Sequence, residues 1–358
     1  MRRRDVLTGV VATAAGASGL SAPAIGQGLR QLKMVTAWAD GMPGFHASAV
    51  RFARTIEAAT AGRVKIDVFP DGKLIRAFET FDAVSAGVAD MYHSAEYYWE
   101  KKSRAFDFFA AVPFGLTAQE LFGWVQYGGG QELWDQLSAQ YNIKPLLCLN
   151  TGTQMGGWFN KEIDSLDKFK GLRYRMPDPG AEVLRRLGAI VVTLPGGEIQ
   201  RALKSGAIDA SEWVGPWPDM AMGLHQAVSY YYYPGFHEPG TGIAVGINRN
   251  VWQSLDTSDR QIFEAVAATE YARSLAEFNA NNALWLRRLR AEGTVKIQKL
   301  DDVVLKAILD LSNEVVAEIG AADGLSKKIY ASYQQFRTLA MDWSDVAERA
   351  FLNSRRLA

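Results

Sequence analysis

Two strands flank a helix near the start of the sequence and indicate its fold class; the first strand is Leu32-Lys33-Met34-Val35-Thr36. The second, Val64-Lys65-Ile66-Asp67-Val68-Phe69, alternates apolar and polar side chains as a half-buried strand does. Between them, residues 44–61 place apolar side chains on one face of a helix. This strand–helix–strand order predicts an α/β protein whose sheets are covered by helices on both faces.

The same alternation continues along the chain and extends the α/β prediction to the whole protein. A chain of 358 residues also has room for two lobes, at roughly 100–200 residues per domain. We therefore expect a two-lobed α/β protein. After the first two strands, the patterns predict strands at residues 89–93, 144–150, 157–160, 172–176, 190–194 and 243–248, and helices at residues 78–86, 118–127, 131–141, 180–187, 197–205 and 258–291.

The composition excludes several classes of protein. The 39 basic residues are balanced by 39 acidic ones, so the chain has no net positive field with which to hold nucleic acid. The 17 Phe, 13 Tyr and 10 Trp are more aromatic material than a disordered chain contains. Cys148 is the only cysteine, which excludes an intramolecular disulfide, and its apolar strand predicts a place in the core.

The first 26 residues have the three parts of an export signal. Arg2-Arg3-Arg4 begins it, residues 8–20 form a weakly apolar run, and Ser21-Ala22-Pro23-Ala24 supplies the small residues of a cleavage site. The adjacent arginines and the glycines of the run favour the twin-arginine route. A membrane anchor is the alternative, but about 15 apolar residues fall short of the roughly 20 that span a bilayer. We expect export to the periplasm, with the signal at residues 1–26.

The C-terminal segment, residues 325–358, contains neither glycine nor proline and predicts one long helix. Apolar side chains recur along it at spacings of three and four, including Ile329, Phe336, Leu339 and Trp343. Two interpretations account for this seam. The helix either lies on its own domain or projects and packs on a second copy of the chain, and the second interpretation predicts a homodimer.

Few residues follow the patterns of catalytic or zinc-binding chemistry. The histidines at positions 46, 93, 225 and 237 form no H-E-x-x-H motif and no H-x₃-H pair, so no zinc site is predicted. The sequence also has no G-x-S-x-G elbow, no P-loop and no G-x-G-x-x-G after a strand. These missing motifs argue against an enzyme; if there were one, Glu212 or His237 would be its general base.

Three segments stand out by their composition. Thr151-Gly152-Thr153-Gln154-Met155-Gly156-Gly157 follows a buried strand, where ligands of α/β proteins tend to bind. Gly171-Leu172-Arg173-Tyr174-Arg175-Met176-Pro177 places two arginines on one face of a strand. Gly206-Ala207-Ile208-Asp209-Ala210-Ser211-Glu212-Trp213 follows the end of a helix and finishes on an acid beside a large aromatic ring. Each of these charges alone would fit an ordinary surface position, so the segments are informative only together.

Together with Tyr231-Tyr232-Tyr233-Pro234-Gly235-Phe236-His237-Glu238-Pro239-Gly240, these segments resemble the exported solute receptors of TRAP (tripartite ATP-independent periplasmic) transporters, in the 2-oxo acid and lactate group of the DctP-like family. The similarity covers nearly all of the chain after the export signal. It implies a two-lobed periplasmic-binding-protein fold with hinge strands between the lobes and a long C-terminal helix. Lobe I would comprise residues 30–152 and about 242–285, lobe II residues 153–241 and about 286–324, and the C-terminal helix residues 325–358.

The resemblance also implies a binding site. Arg175 matches the arginine that holds the ligand carboxylate, which its planar fork can bind through two parallel hydrogen bonds. The cation site of the family matches oxygen donors of this chain that suit Na⁺ or Ca²⁺, including the backbone carbonyl of Trp213. The implied ligand contacts are Arg175, Gln154, Tyr98, Trp213 and Glu238, and the implied cation ligands are Gln154, Glu212, Trp213 and Glu238.

The resulting prediction is a periplasmic receptor, not an enzyme, that binds a small 2-oxo or 2-hydroxy monocarboxylate such as pyruvate or lactate. The acid would bind with Na⁺ or Ca²⁺ and be delivered to the membrane permease subunits of a TRAP transporter. A small anion offers little apolar area, so affinity must come from matched charges in a site that closes between two lobes. The alternatives are an exported α/β enzyme that acts on a small carboxylic acid, and a module that presents its ligand to a receptor kinase.

Overall fold

The computed structural model describes residues 29–357, and the predicted export signal at residues 1–26 lies outside them. Strands and helices alternate along the described chain, which confirms the α/β prediction. The strands are β1 (Arg30–Thr36), β2 (Val64–Phe69), β3 (Met91–Ala95), β4 (Ile143–Asn150), β5 (Gly157–Phe159), β6 (Arg173–Arg175), β7 (Ile190–Val192), β8 (Ala210–Ser211), β9 (Tyr230–Tyr233), β10 (Gly242–Asn248) and β11 (Lys296–Lys299). The helices are α1 (Phe45–Ala59), α2 (Thr80–Ser85), α3 (Ala118–Tyr127), α4 (Gly130–Ala139), α5 (Gly180–Arg186), α6 (Ile199–Lys204), α7 (Pro216–Ala221), α8 (Arg249–Ser254), α9 (Thr257–Glu292), α10 (Asp302–Ala321), α11 (Gly324–Val346) and α12 (Glu348–Ser354).

The first sheet has the strand order β2-β1-β3-β10-β4, with β1 parallel to β2 and β3 and with β10 antiparallel to β3 and β4. Neighbouring residues of β1 point to opposite faces, as the period of two requires. Met34 packs into the cluster beneath α1 and α9, where Phe52 and Phe263 meet with their rings 5.9 Å apart. Val35 packs into the cluster on the other face. Cys148 lies fully buried in the first of these clusters, so its predicted place in the core is confirmed.

The second sheet has the strand order β11-β9-β5-β8-β6-β7, in which β6 is parallel to β7 and β8, and β5 is antiparallel to β8 and β9. At its centre, the rings of Trp158 on β5 and Tyr231 on β9 stack with their centres 3.9 Å apart. Arg175, at the end of β6, pairs in register with Ser211, at the end of β8. This pairing brings the residues that follow β8 next to Arg175.

Three segments cross between the sheets: residues 151–156 after β4, residues 234–241 before β10, and α8 with α9 between β10 and β11. The first two are called the connections below. They run side by side, because Thr151 N donates to Thr241 O at 3.2 Å and Gly235 N donates to Gln154 O at 2.9 Å. The predicted lobe boundaries after residues 152 and 241 fall in these connections, and the assignment of the lobes stays a prediction. None of the helices within residues 29–357 combines the length and apolar character that a membrane span requires.

The C-terminal segment differs from the single helix predicted for residues 325–358. The helix breaks at Ala347, whose φ of −112° and ψ of −103° lie outside the helical range, and α12 follows. The first turns of α11 lie on the chain's own core, with Ile329 and Tyr333 only 0% and 2% exposed. Beyond them, Leu339 and Trp343 are 62% and 70% exposed. The first interpretation is therefore confirmed for the start of the segment only.

Candidate functional site

The candidate site is a small cavity between the two sheets, at the carboxyl ends of strands from both. Trp38 follows β1, Tyr97 and Tyr98 follow β3, Arg175 ends β6, and Glu212 follows β8. Ligands of α/β proteins bind at such strand ends, where the backbone leaves the sheet and side chains converge. The lining is formed by Trp38, Phe45, Tyr97, Tyr98, Thr151, Gln154, Arg175, Glu212, Trp213, Val214 and Thr241.

Arg175 is held rigidly at one wall of this cavity and is 1% exposed. Its Nε and Nη2 donate to the backbone carbonyl oxygen of Leu194 at 3.0 and 2.9 Å, and its Nη1 donates to a carboxylate oxygen of Glu212. A guanidinium group has five N–H bonds, and these contacts use three of them. The remaining two, one on each Nη, are the pair with which an arginine grips a carboxylate.

The guanidinium of Arg175 keeps its charge despite its burial. Burial alone would lower its pKa, but the charge of Glu212 and neighbouring phenols and carboxyls outweigh that effect and raise the pKa above the ordinary value. The guanidinium carbon also lies 5.5 Å from the ring centre of Trp213, a cation–π distance. Arg173 differs although it lies on the same strand, because its half-exposed side chain pairs with Asp209 at 2.7 Å. Only Arg175 therefore belongs to the site.

A cluster of buried acids lies beside Arg175. Glu212, His237 and Glu238 each offer a ligand atom within 4.8 Å of the others, and all three side chains are buried. Burial, and secondly the nearby charge of Glu212, raise the pKa of Glu238 to about 7. Two carboxyl groups thus share the positive charge of Arg175, and a bound cation would relieve their repulsion.

Gln154 supplies a further oxygen to this cluster from the first of the two connections. Its Nε2 donates to Glu238 Oε2 at 2.6 Å and to Thr241 Oγ1 at 3.0 Å, which orients the amide. Its Oε1 is buried and has no hydrogen-bond partner. This buried acceptor and the carboxyl groups of Glu212 and Glu238 are oxygen donors, which suit a hard cation such as Na⁺ or Ca²⁺, and the His237 ring lies beside them. The residues present therefore fit the implied cation.

Aromatic rings form the opposite wall of the cavity. The indole Nε1 of Trp38 donates to His93 Nδ1 at 2.7 Å, and the Trp38 ring packs on Phe45 at 4.5 Å. Tyr98 faces the same cavity; burial raises its pKa to about 12, although the charge of Arg175 opposes the rise. These rings exclude water from the charged groups and so strengthen the electrostatic contacts that a ligand would make.

The structure brings together all the residues that the resemblance implied. Tyr98, Gln154, Arg175, Glu212 and Trp213 line the cavity, and Glu238 is hydrogen-bonded to Gln154 behind it. Their roles in binding the acid and the cation stay predictions. The predicted site residues did not include six further residues of the lining: Trp38, Phe45, Tyr97, Thr151, Val214 and Thr241. His237 was named only as a possible general base and not as a neighbour of the cation site.

His237 does not form the pair with Glu212 that general-base catalysis needs. Its Nε2 lies 3.6 Å from Glu212 Oε2, which is beyond hydrogen-bond distance, and neither ring nitrogen has a hydrogen-bond partner. The contact gives the enzyme alternative no support. The sequence analysis did not place His237 in the acid cluster, although His237 directly precedes Glu238 in the sequence.

The cavity is contracted, with a volume of only about 10 Å³. This is room for about one water molecule, so even pyruvate would need the lobes to part or the side chains of Arg175 and Glu212 to separate. Opening and closing of two lobes about hinge segments is the usual motion of such folds. Such a motion would have to bend the segments that cross between the sheets, which include residues 151–156 and 234–241.

A buried arginine and carboxyl groups enclosed between two α/β sheets define the class of two-lobed solute-binding proteins. Within that class, the chain belongs to the bacterial extracellular solute-binding proteins of family 7, the DctP family, whose family model matches residues 34–323. The family resemblance and the two-lobed fold that it implied are therefore confirmed.

Relatives of this chain share most of its length. A monocarboxylate 2-oxoacid-binding periplasmic protein of Nostoc is 37% identical over 360 residues, which cover 99% of this chain and 98% of that protein. A TRAP solute-binding protein of Pseudoalteromonas atlantica, solved with bound sodium and pyruvate, is 35% identical with a TM-score of 0.88 and covers 91% of this chain and 99% of its own. One from Bordetella bronchiseptica, a mixed-occupancy dimer with calcium and picolinate, is 33% identical with a TM-score of 0.90 and covers 92% of this chain and 98% of its own.

Proposed function

We propose that this protein is the periplasmic solute receptor of a TRAP transporter and binds a small 2-oxo or 2-hydroxy monocarboxylate together with Na⁺ or Ca²⁺. The observation that carries the proposal is the buried guanidinium of Arg175, with two unused N–H bonds beside the unpartnered Gln154 oxygen. The carboxylate of a small acid can accept from the N–H bonds of Arg175, and a cation bound to the adjacent oxygen of the acid can also be bound by the Gln154 oxygen. The Nostoc relative named for 2-oxoacids and the pyruvate-bound structure support the same ligand class.

The residues divide into two roles under this proposal. Arg175 holds the carboxylate of the acid, and Tyr98 closes the cavity beside it. The cation is held by Gln154, Glu212, Glu238 and the backbone carbonyl of Trp213. Three of these residues also contact the acid: Gln154, Trp213 and Glu238. The cation supplies positive charge that offsets the carboxyl groups and binds oxygens of the acid. Glu212 contributes to both parts of the site, because it is a ligand of the cation and its carboxylate also orients Arg175.

Binding and turnover are separated by one experiment on the purified protein. Pyruvate and lactate are titrated by calorimetry in NaCl or CaCl₂ and in a cation-depleted buffer, and the pyruvate is then recovered and analysed. We expect cation-dependent binding, a higher melting temperature with ligand, and pyruvate that is recovered unchanged. A product formed from pyruvate would favour the enzyme alternative. Failure of every small 2-oxo and 2-hydroxy acid to bind would refute the proposed ligand class.

Delivery to a permease is tested in cells. Deletion of the gene should abolish uptake of the acid if the protein is a transport receptor. Intact uptake with lost induction would instead indicate a sensing module. The predicted export signal at residues 1–26 is tested in the same strain, since a periplasmic receptor must be recovered without it from the periplasmic fraction.

The exposed end of the C-terminal segment supports a homodimer, which we propose as the assembled form. Leu339, Trp343 and Val346 are 62%, 70% and 74% exposed on α11, and Phe351 on α12 is 63% exposed. Such a series of large apolar side chains is costly to leave in water, so a partner surface is expected. The Bordetella relative is described as a dimer, which agrees with a second copy of the chain as that partner.

A further inference from the structure

A second cavity lies directly beside the candidate site. Its volume is about 300 Å³, against about 10 Å³ at Arg175, and Tyr97 and Tyr98 line both cavities. Residues before and after the first connection contribute to its other walls. These are Phe78, Glu100 and Lys101 from the first-sheet half of the chain, and Pro177, Asp178 and Thr193 from the second-sheet half.

The partition between the two cavities is one layer of tyrosine rings. Tyr97 is 7% exposed and packs within the apolar cluster that contains Trp38, so it is part of the core. Tyr98 is only half-buried, and its ring packs against Phe78 at 4.8 Å and against Tyr97 at 4.9 Å. Tyr98 is therefore the removable part of the wall, since its loss would leave the core cluster around Tyr97 in place.

Building on the proposed function, we propose that Tyr98 sets the chain length of the acid by closing off this second cavity. Tyr98 lines the candidate site and the second cavity, so an alkyl chain that extends from the acid toward the second cavity would meet the Tyr98 ring. The adjoining space of about 300 Å³ is at the lower end of the volumes of ligand pockets, roughly 300–1,000 Å³. Without the ring, that space would take the chain of a longer 2-oxo acid.

The lining of the second cavity also indicates which longer acids it would take. Phe78 and Pro177 offer apolar surface to an alkyl chain. Glu100 and Asp178 place two carboxyl groups on the same walls, and burial, followed by the proximity of Asp178, raises the pKa of Glu100 to about 8. Lys101 lines the same cavity and Arg185 pairs with Asp178 at 3.2 Å, so the charges of the lining are balanced and do not select among acids. The apolar surface therefore favours 2-oxo acids with an alkyl chain.

The test compares the affinities of Tyr98→Ala, Tyr98→Phe and the wild type for pyruvate and 2-oxohexanoate, by calorimetry in a cation-containing buffer. We expect the wild type and Tyr98→Phe to prefer pyruvate, because both keep the ring. Tyr98→Ala should raise the ratio of the 2-oxohexanoate to the pyruvate affinity by at least tenfold. An unchanged ratio, or a wild type that binds 2-oxohexanoate as tightly as pyruvate, would overturn the proposal.

A blocking variant shows whether the second cavity is the space used. Thr193 lines only that cavity, so Thr193→Trp alone should leave the pyruvate affinity unchanged, and in the Tyr98→Ala background it should cancel the gain for 2-oxohexanoate. If the double variant still binds 2-oxohexanoate more tightly than the wild type does, the alkyl chain does not occupy the second cavity and the proposal is refuted. If Tyr98→Ala does not fold, as judged by circular dichroism, Tyr98→Leu replaces it with the same expectation. Pyruvate binding by the wild type separates failure of this inference from failure of the proposed function.

Discussion

Replacement of Arg175 by lysine tests the carboxylate grip while it keeps the positive charge. Removal of the charge, as in Arg175→Met, would leave the buried carboxylate of Glu212 unpaired, and breaking a buried ion pair costs about 3–5 kcal/mol of folding free energy. Lysine avoids that loss because its ammonium group can still pair with Glu212. A change in affinity can then be attributed to the geometry of the donors and not to unfolding.

The expected magnitude follows from the number of donors. Arg175 uses three N–H bonds on Leu194 and Glu212 and keeps two for the acid. Lysine has three donors in total, so after Leu194 and Glu212 are served it can offer one to the carboxylate. The loss of one hydrogen bond to a charged group costs about 1.5–3 kcal/mol. At 1.4 kcal/mol per factor of ten, we expect the Kd for pyruvate to rise about 10- to 150-fold.

The assay is calorimetric titration of pyruvate at a fixed cation concentration, with thermal unfolding as a check on the fold. The matched control is Arg173→Lys, the same substitution two residues earlier on β6, where the side chain is half exposed and pairs with Asp209. This control should bind pyruvate as the wild type does. An Arg175→Lys variant with wild-type affinity, or equal weakening by both substitutions, would refute the role given to Arg175.

Three further predictions concern the cation, pH and assembly. Glu212→Gln should make pyruvate binding insensitive to a NaCl or CaCl₂ series, since one cation ligand loses its charge; a variant that keeps the wild-type dependence would contradict the cation assignment. Burial raises the pKa of Glu96 from 4.5 to about 7, so the native state holds its proton more tightly than the unfolded state. The free energy of unfolding should therefore fall, on the order of 3 kcal/mol from this group, as pH rises from about 4.5 through about 7. The free energy of unfolding of Glu96→Gln, measured in urea, should depend less on pH than that of the wild type. Equal pH dependences would show that Glu96 is not the cause. A chain that ends after Thr338 keeps the buried turns of α11 and loses the exposed Leu339 and Trp343, so sedimentation should change from dimer to monomer while circular dichroism shows a folded chain. A full-length chain that already sediments as a monomer would rule out the dimer.

Most regular elements were predictable because their signals are local. The helix predicted at residues 258–291 is α9, Thr257–Glu292, and its 3.6-residue pattern needs no information from the rest of the chain. Strand β9 was not predicted, since Tyr230–Tyr233 has no apolar and polar alternation. It is a strand because it pairs with β5 and β11, which lie far away in sequence. The break at Ala347 has no explanation in the structure.

The site was partly predictable for a related reason. Gln154, Arg175 and Glu212 lie in segments at strand ends whose composition is unusual, so the sequence marks them. Trp38 and Phe45 lie more than a hundred residues earlier in the chain and carry no such mark. They reach the cavity because β1 belongs to the first sheet and α1 begins shortly after it, on the side of the cavity that faces Arg175.

The sequence by itself determined the α/β class, the balance of charge and the chemical groups available at the strand ends, because periodicity and side-chain chemistry are local properties. Only the tertiary structure distinguished Arg175 from Arg173, which share one strand and one spacing. Burial and the approach of Glu212 depend on how β6 and β8 pair, and Glu238 arrives on a different connection. The loss of water and the meeting of distant charges give these groups their function, and both arise only when separate parts of the chain pack together.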